Sequence, residues 1–185
     1  VRAGSGRAGR FLVVAAVVAA LAVAGFLLLP AGRGLFEDTK DKLDGAKQVT
    51  PTRTSASAAV PGHPAANTVD GLNNRYWGAP AAGASVTYTF AKPFRMVDLI
   101  LTNGASKDRD AYEGQGRALT VDMEVTTSGG GTRLRTLTLD DRPGDQTFPV
   151  RISDVTAVRL TLRAPAGLAR GRCVALAEVE FFRRG

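Results

Sequence analysis

Asp70 and Asn73, in the run TVDGLNNRYWG (residues 68–78), place two hard oxygen side chains within a few residues of each other. Calcium favours such oxygen clusters, and a tight turn also aims backbone carbonyls inward. The spaced acids and closing Glu of an EF-hand are missing, so a distant residue would have to complete a metal site. On spacing alone, a plain turn is the better reading of the same residues. The only tryptophan of the chain, Trp77, follows directly, with Tyr76 beside it. A lone Trp next to a turn reads as a core plug whose indole N–H finds a carbonyl. Tyr76 is then expected to be partly exposed, because neighbours in an extended segment face opposite ways.

A second set of chemistry-bearing residues lies in TNGASKDRDAYEGQGRA, residues 102–118. Planar amides, carboxylates and guanidinium groups make paired hydrogen bonds to sugar hydroxyls, and an aromatic face covers the C–H side of a sugar ring. Asn103, Arg109, Tyr112 and Arg117 are the candidate ligand-binding residues. Loops of this length seldom lack a role, although a solvated loop has the same composition.

Catalysis finds no support. The one histidine, His63, lies between prolines with no nucleophile nearby, so a Ser-His-Asp arrangement is not legible. SGGG at 128–131 lacks the Lys and the helix of a phosphate loop. A non-catalytic binding protein is therefore expected.

These residues must be held by some scaffold. Residues 11–29, FLVVAAVVAALAVAGFLLL, carry no charged or polar side chain. As a helix they would span about 28 Å, close to a bilayer's hydrocarbon core of about 30 Å. We read residues 11–30 as a transmembrane helix preceded by a short basic cytoplasmic segment, 1–10. Arg2, Arg7 and Arg10 put the N-terminus inside and the rest of the chain outside, anchored in the cell membrane by a single pass. Residues 31–54 read as a juxtamembrane spacer with room for a short helix. The domain proper is expected over 55–185, as an all-β, antiparallel sandwich.

The pattern there has a period of two. SVTYTF, ALTVDMEVTT, RLRTLTL and AVRLTLRA alternate apolar and polar residues, and MVDLILT and CVALAEVEFF are nearly continuous apolar runs. SGGG and DDRPGD supply turns. The single Cys173 builds no disulfide framework and reads as a small buried residue. The net charge of +7 includes the three arginines ahead of the span. The remaining basic residues stand singly along strands, so nucleic acid is not an expected partner.

Three stretches carry a family resemblance: SAAVPGHPAANTVDGLNNRYWGAP, SVTYTFAKPFRMVDLILTNG and the closing VALAEVEFF. Together they resemble the discoidin, or coagulation-factor type C, domain, a galactose-binding-like jelly roll. The shared marks are an A-x-x-x-D-G turn before a Trp, an F-x-x-P strand end and an E-V-x-F closing strand. The resemblance, over roughly residues 50–183, is closer still to the NADase-type glycan-binding domains of actinobacterial single-pass membrane proteins. It implies a jelly-roll sandwich and a surface or cell-wall glycan as partner. A structural or surface-protein-binding role on the same fold is the alternative. It also implies one structural calcium ion held by Asp70, Asn73 and Glu178. Glu178 shares strand parity with Val174 and Leu176, and an acid on an apolar face needs a partner.

Overall fold

The computed structural model describes residues 45–72 and 74–185. The uncharged run 11–29 and Asn73 lie outside the described residues. Among those described, no helix is long and apolar enough to cross a membrane.

Among the described residues eight strands form, in chain order β1 (Ala46–Val49), β2 (Arg53–Ala56), β3 (Trp77–Ala79), β4 (Ser85–Asn103), β5 (Arg117–Thr127), β6 (Thr132–Thr138), β7 (Asp145–Ala166) and β8 (Val174–Arg184). A 3-10 helix covers Ala65–Val69, and one short helix, α1, covers Arg109–Gly114. All strand pairs are antiparallel.

Two long strands make the sandwich. The first part of β4, Ser85–Thr89, lies between β2 and the second half of β7. Its last part, Asp98–Asn103, lies between β8 and the first half of β7. Register shifts between Thr89 and Asp98 separate the two parts. Such bulges bend a strand sharply, which lets β4 and β7 pass from one sheet to the other. The sequence suggested separate strands here, because Pro93 and the lost alternation read as a break. The first half of β7, from Asp145, escaped notice for the same reason: Pro149 interrupts it.

The inner faces follow the period-two pattern. Val121, Met123 and Val125 of β5 and Val158, Leu160 and Leu162 of β7 are buried on one sheet. Leu99 and Leu101 of β4 and Val179 and Phe181 of β8 are buried on the other. Phe181 meets Tyr88 and Phe90 edge-on, each at 5.0 Å between ring centroids, and so joins the layers.

The folded unit begins at Gly45. This corrects the expected boundary at residue 55, since residues 46–49 pair with β8 and residues 53–56 with β4. These strands are too short and polar to show periodicity. Their ladder hydrogen bonds hold them in place, and Val49 and Ala56 pack against the core.

Candidate functional site

β4 ends at Asn103, and the chain crosses to β5 through residues 104–116. Asn103 is buried, and its amide closes the neck of this connection. Nδ2 donates to the Ala118 carbonyl at 2.7 Å, while Oδ1 accepts the Gly104 N–H at 3.0 Å. Both ends of the amide are thus engaged within the protein. Beyond the neck, Asp108 caps α1 by accepting the Ala111 N–H at 3.0 Å. The long polar loop of the sequence therefore holds a helical turn.

That turn carries Tyr112 inward until the residue is 2% exposed. Its hydroxyl donates to Asp141 Oδ1 at 2.9 Å. Arg117 grips the same carboxylate with two donors: Nε to Oδ1, and Nη2 to Oδ2 at 2.9 Å. Its guanidinium lies 4.9 Å from the centroid of the Tyr112 ring. The hydrogen bond from Arg117 holds the Asp141 carboxyl below its ordinary range. Burial, then the bond to Asp141, pushes the Tyr112 phenol up to about 12. The cluster joins the β4–β5 and β6–β7 connections and fixes α1 from below.

The ring of Tyr112 packs directly over Gly104, whose φ is +75°. A Cβ there would collide with the ring. Gly104→Ala is therefore expected to cost about 2–3 kcal/mol, from the left-handed backbone and the forced displacement together. Chemical denaturation would show this as a lowered midpoint with an unchanged slope. A midpoint equal to wild type would mean that the loop neck is soft.

Of the four expected ligand contacts, Tyr112 and Arg117 are brought together and Asn103 lies at the neck below them. Arg109 alone is largely in solvent, where it pairs with Glu113 at 3.3 Å. Sequence inspection missed Asp141, which looked like part of a surface turn.

It also gave His63 no place in a site. The backbone of Gly78 in β3 donates to the His63 carbonyl at 3.1 Å and accepts from Val60 at 2.8 Å. This pairing lays His63 on Tyr76, with ring centroids 4.0 Å apart and planes within 15°. Both residues are half-buried. Gly78 allows the approach, because a Cβ would meet Val60, Cys173 Sγ and His63. Gln115 completes the group by accepting the Cys173 N–H at 3.1 Å. Next to it, Arg172 donates to the carbonyls of Glu113 and Gly167. The only sequence signal was Gly78 directly after Trp77. Trp77 itself is fully buried, with Nε1 donating to the Ala58 carbonyl at 3.0 Å, as its neighbours suggested.

The Asp70 turn lies elsewhere on the sandwich, against β8. Thr68 of the 3-10 helix bonds to the Tyr88 hydroxyl at 2.8 Å, which ties the helix to the core. Asp70 follows as its C-cap and accepts the Leu72 N–H at 2.8 Å. The Gly71 N–H donates to Glu178 Oε1 at 3.3 Å. Glu178 is 5% exposed, and its second oxygen has no partner among the described residues. Burial pushes its carboxyl up to about 7, against the Gly71 bond, and the charges of Glu180 and Asp70 add to the rise. A cleft of about 240 Å³ opens here, lined by Gln48, Thr50, Asp70, Gly71 and Glu178 among others.

An orphaned carboxylate oxygen near the Asp70 turn fits a hard cation, which would compete with the Arg75 guanidinium, 3.8 Å from Asp70 Oδ2. Among the described residues no three His, Cys, Asp or Glu side chains converge, so carbonyls or water would complete the set. Two of the three expected ligands, Asp70 and Glu178, thus meet across 108 positions of sequence. The third, Asn73, is outside the described residues.

No protein-family model matches this sequence, and no curated protein matches it. Solved structures do. The family 32 CBM from C. perfringens NanJ, in complex with galactose, superposes with a TM-score of 0.58 at 16% identity, over 75% of this chain and 99% of that one. The F5/8 type C domain of a Bacteroides fragilis protein gives 0.58 at 17% identity, over 76% and 97%. A truncated AlyQ with CBM32 and alginate lyase domains gives 0.57 at 16% identity and 76% of this chain. This chain spans 34% of the AlyQ fragment. The fold is therefore the discoidin-like jelly roll of these domains.

Proposed function

We propose that the chain is a non-catalytic carbohydrate-binding module, held outside the cell by residues 11–30 and directed at a cell-wall or surface glycan. The observation that carries this reading is the His63–Tyr76 pair. It is a half-buried aromatic stack joined through Gly78 and Cys173 to Gln115, on a fold shared with a module solved with galactose. A sugar ring would lay its C–H face on this stack. Gln115 and Arg172 are placed to meet hydroxyls, and Arg109 on α1 adds a further exposed guanidinium. The Tyr112–Arg117–Asp141 cluster holds α1 still beneath them, and recognition gains from such preorganisation.

The motifs in 57–80 and 174–182 support the NADase-type glycan-binding subgroup as the finer placement, and the uncharged run 11–29 supports the anchor. At the Asp70 turn we place one structural calcium ion, with Asp70 and Glu178 as ligands and Asn73 as the third by sequence motif. The ion would hold the turn against β8 and supply no reactive chemistry.

Glycan-array binding followed by calorimetry on the best ligand tests the reading. Tyr76→Ala is expected to weaken binding by about tenfold or more, the loss of about 1.4 kcal/mol of stacking. The melting temperature should stay within a few degrees. Binding that survives both Tyr76→Ala and His63→Ala overturns the platform. A blank array leaves the protein-interaction alternative in its place.

A further inference from the structure

The basic residues stand singly in the sequence, yet the fold gathers six of them at one end of the sandwich. β8 ends on Arg183 and Arg184, and β1 sets Lys47 and Ala46 opposite them. Met96 pairs with Arg183 on one side and with Ile152 on the other. That register brings in Arg95 and Arg151, the chain neighbours of Met96 and Ile152. Lys92 stands in the bend of β4 between Thr89 and Phe94. All six side chains are exposed.

None of the six has a carboxylate within salt-bridge distance among the described residues. Arg95 donates only to a neutral group, the Ser153 hydroxyl, at 2.6 Å. Two acids share the bends with these six bases: Asp154, and Asp98, which pairs with Phe182 beside Arg183. Arg151 and Asp154 hold φ values of 59° and 60°, a conformation that costs a non-glycine residue energy wherever it occurs. Strain and crowded like charge at one place call for a partner that relieves the repulsion.

The chain itself says which partner. Gly45 and Gly185 meet at this end, the Gly185 N–H donating to the Gly45 carbonyl. Only residues 30–44 separate Gly45 from the uncharged run 11–29. At no more than about 3.5 Å per residue, they reach about 50 Å at most.

We propose that this basic end docks on the anionic lipid surface of the membrane in which residues 11–29 are anchored. The proposal rests on the anchor reading above. Basic residues near a negatively charged bilayer each gain about fivefold in partition at moderate salt. Seven positions of β8, from Leu176 to Arg183, separate this end from the one where Trp77 pairs. Docking would therefore turn the His63–Tyr76 platform away from the bilayer, towards glycan outside.

The test uses the full chain in lipid nanodiscs. Cys173→Ala removes the native thiol, and Ser128→Cys, on the β5–β6 turn at the basic end, takes a donor dye. An acceptor is placed on the lipid headgroups. Energy transfer is expected to rise with the phosphatidylglycerol fraction and to fall back in about 0.5 M NaCl, where the screening length is only a few ångströms. Lys92→Glu/Arg95→Glu/Arg151→Glu should lose most of that rise, and so should Arg183→Glu/Arg184→Glu, an independent pair in case the triple variant misfolds. Flat transfer across lipid compositions, with the chain retained in the discs, overturns this proposal alone. A chain that leaves the discs overturns the anchor and the docking together. Suppression of the rise by RNA at a concentration where polyphosphate has no effect would assign the basic end to nucleic acid instead and overturn it.

Discussion

Trp77→Ala is expected to destabilise the domain by about 3–5 kcal/mol, the range for removing a large buried aromatic. Trp77 is fully buried, and its strand pairs with β8 at Leu176. Alanine would leave a cavity under both. It would also strand the Ala58 carbonyl, which now accepts the indole N–H at 3.0 Å. That carbonyl belongs to the segment that carries His63, so the damage should spread to the ring platform. For a folded unit of this size, a drop of roughly 10–20 °C in melting temperature follows. Trp77→Phe separates the two contributions. It keeps apolar volume and drops the donor, and should lose about 1–3 kcal/mol. Thermal unfolding followed by circular dichroism measures both. A loss under about 1 kcal/mol for the alanine variant would mean that β3 is peripheral to the core, contrary to its burial.

The ease of reading Trp77 contrasts with what stayed hidden, and the reason is range. Trp77 and Tyr76 announce themselves by local chemistry: a turn, an aromatic pair, opposite faces of an extended segment. The strands β5 and β8 and the second half of β7 show in the same way, through alternation within a few residues. Nothing local says that β4 and β7 run on through their bends, because Pro93 and Pro149 look like terminators. Bulges tolerate proline, and the continuity is set by partners elsewhere.

The same holds for the sites. Arg117 and Tyr112 stood out by composition, but their task is fixed by Asp141, 24 residues beyond Arg117. His63 and Tyr76 meet only because Gly78 lets two backbones close. The basic end is the plainest case. Lys92, Arg151 and Arg183 are dispersed in the sequence, and a register gathers them. Charge counted along the chain gave a solvated surface; charge counted by strand partner gives a patch.

Calcium is expected to raise the melting temperature by about 10 °C when supplied at about 1,000 times its dissociation constant, where linkage adds about 4 kcal/mol. Glu178→Gln and Asp70→Ala should each abolish most of the response. The geometry behind this is the Glu178 oxygen without a partner, buried near the Asp70 turn. The pH dependence supplies a second readout. In chelator the folded-state carboxyl titrates near 7, above its ordinary 4.5. The folded state then binds the proton more tightly than the unfolded state does, so this group's stabilisation is complete below about pH 4.5 and lost as pH rises through 7. A bound cation holds the carboxylate ionised and reverses that loss. The calcium-induced shift should therefore grow between about pH 5 and 8, while the Glu178→Gln protein, with nothing to titrate at this place, shows neither the fall nor the rescue. A wild-type protein indifferent to calcium at pH 8, and a Glu178→Gln variant more stable than it, would point the other way. Glu178 would then be a buried carboxylate that no cation compensates, and Asp70 would serve only to turn the chain into Trp77.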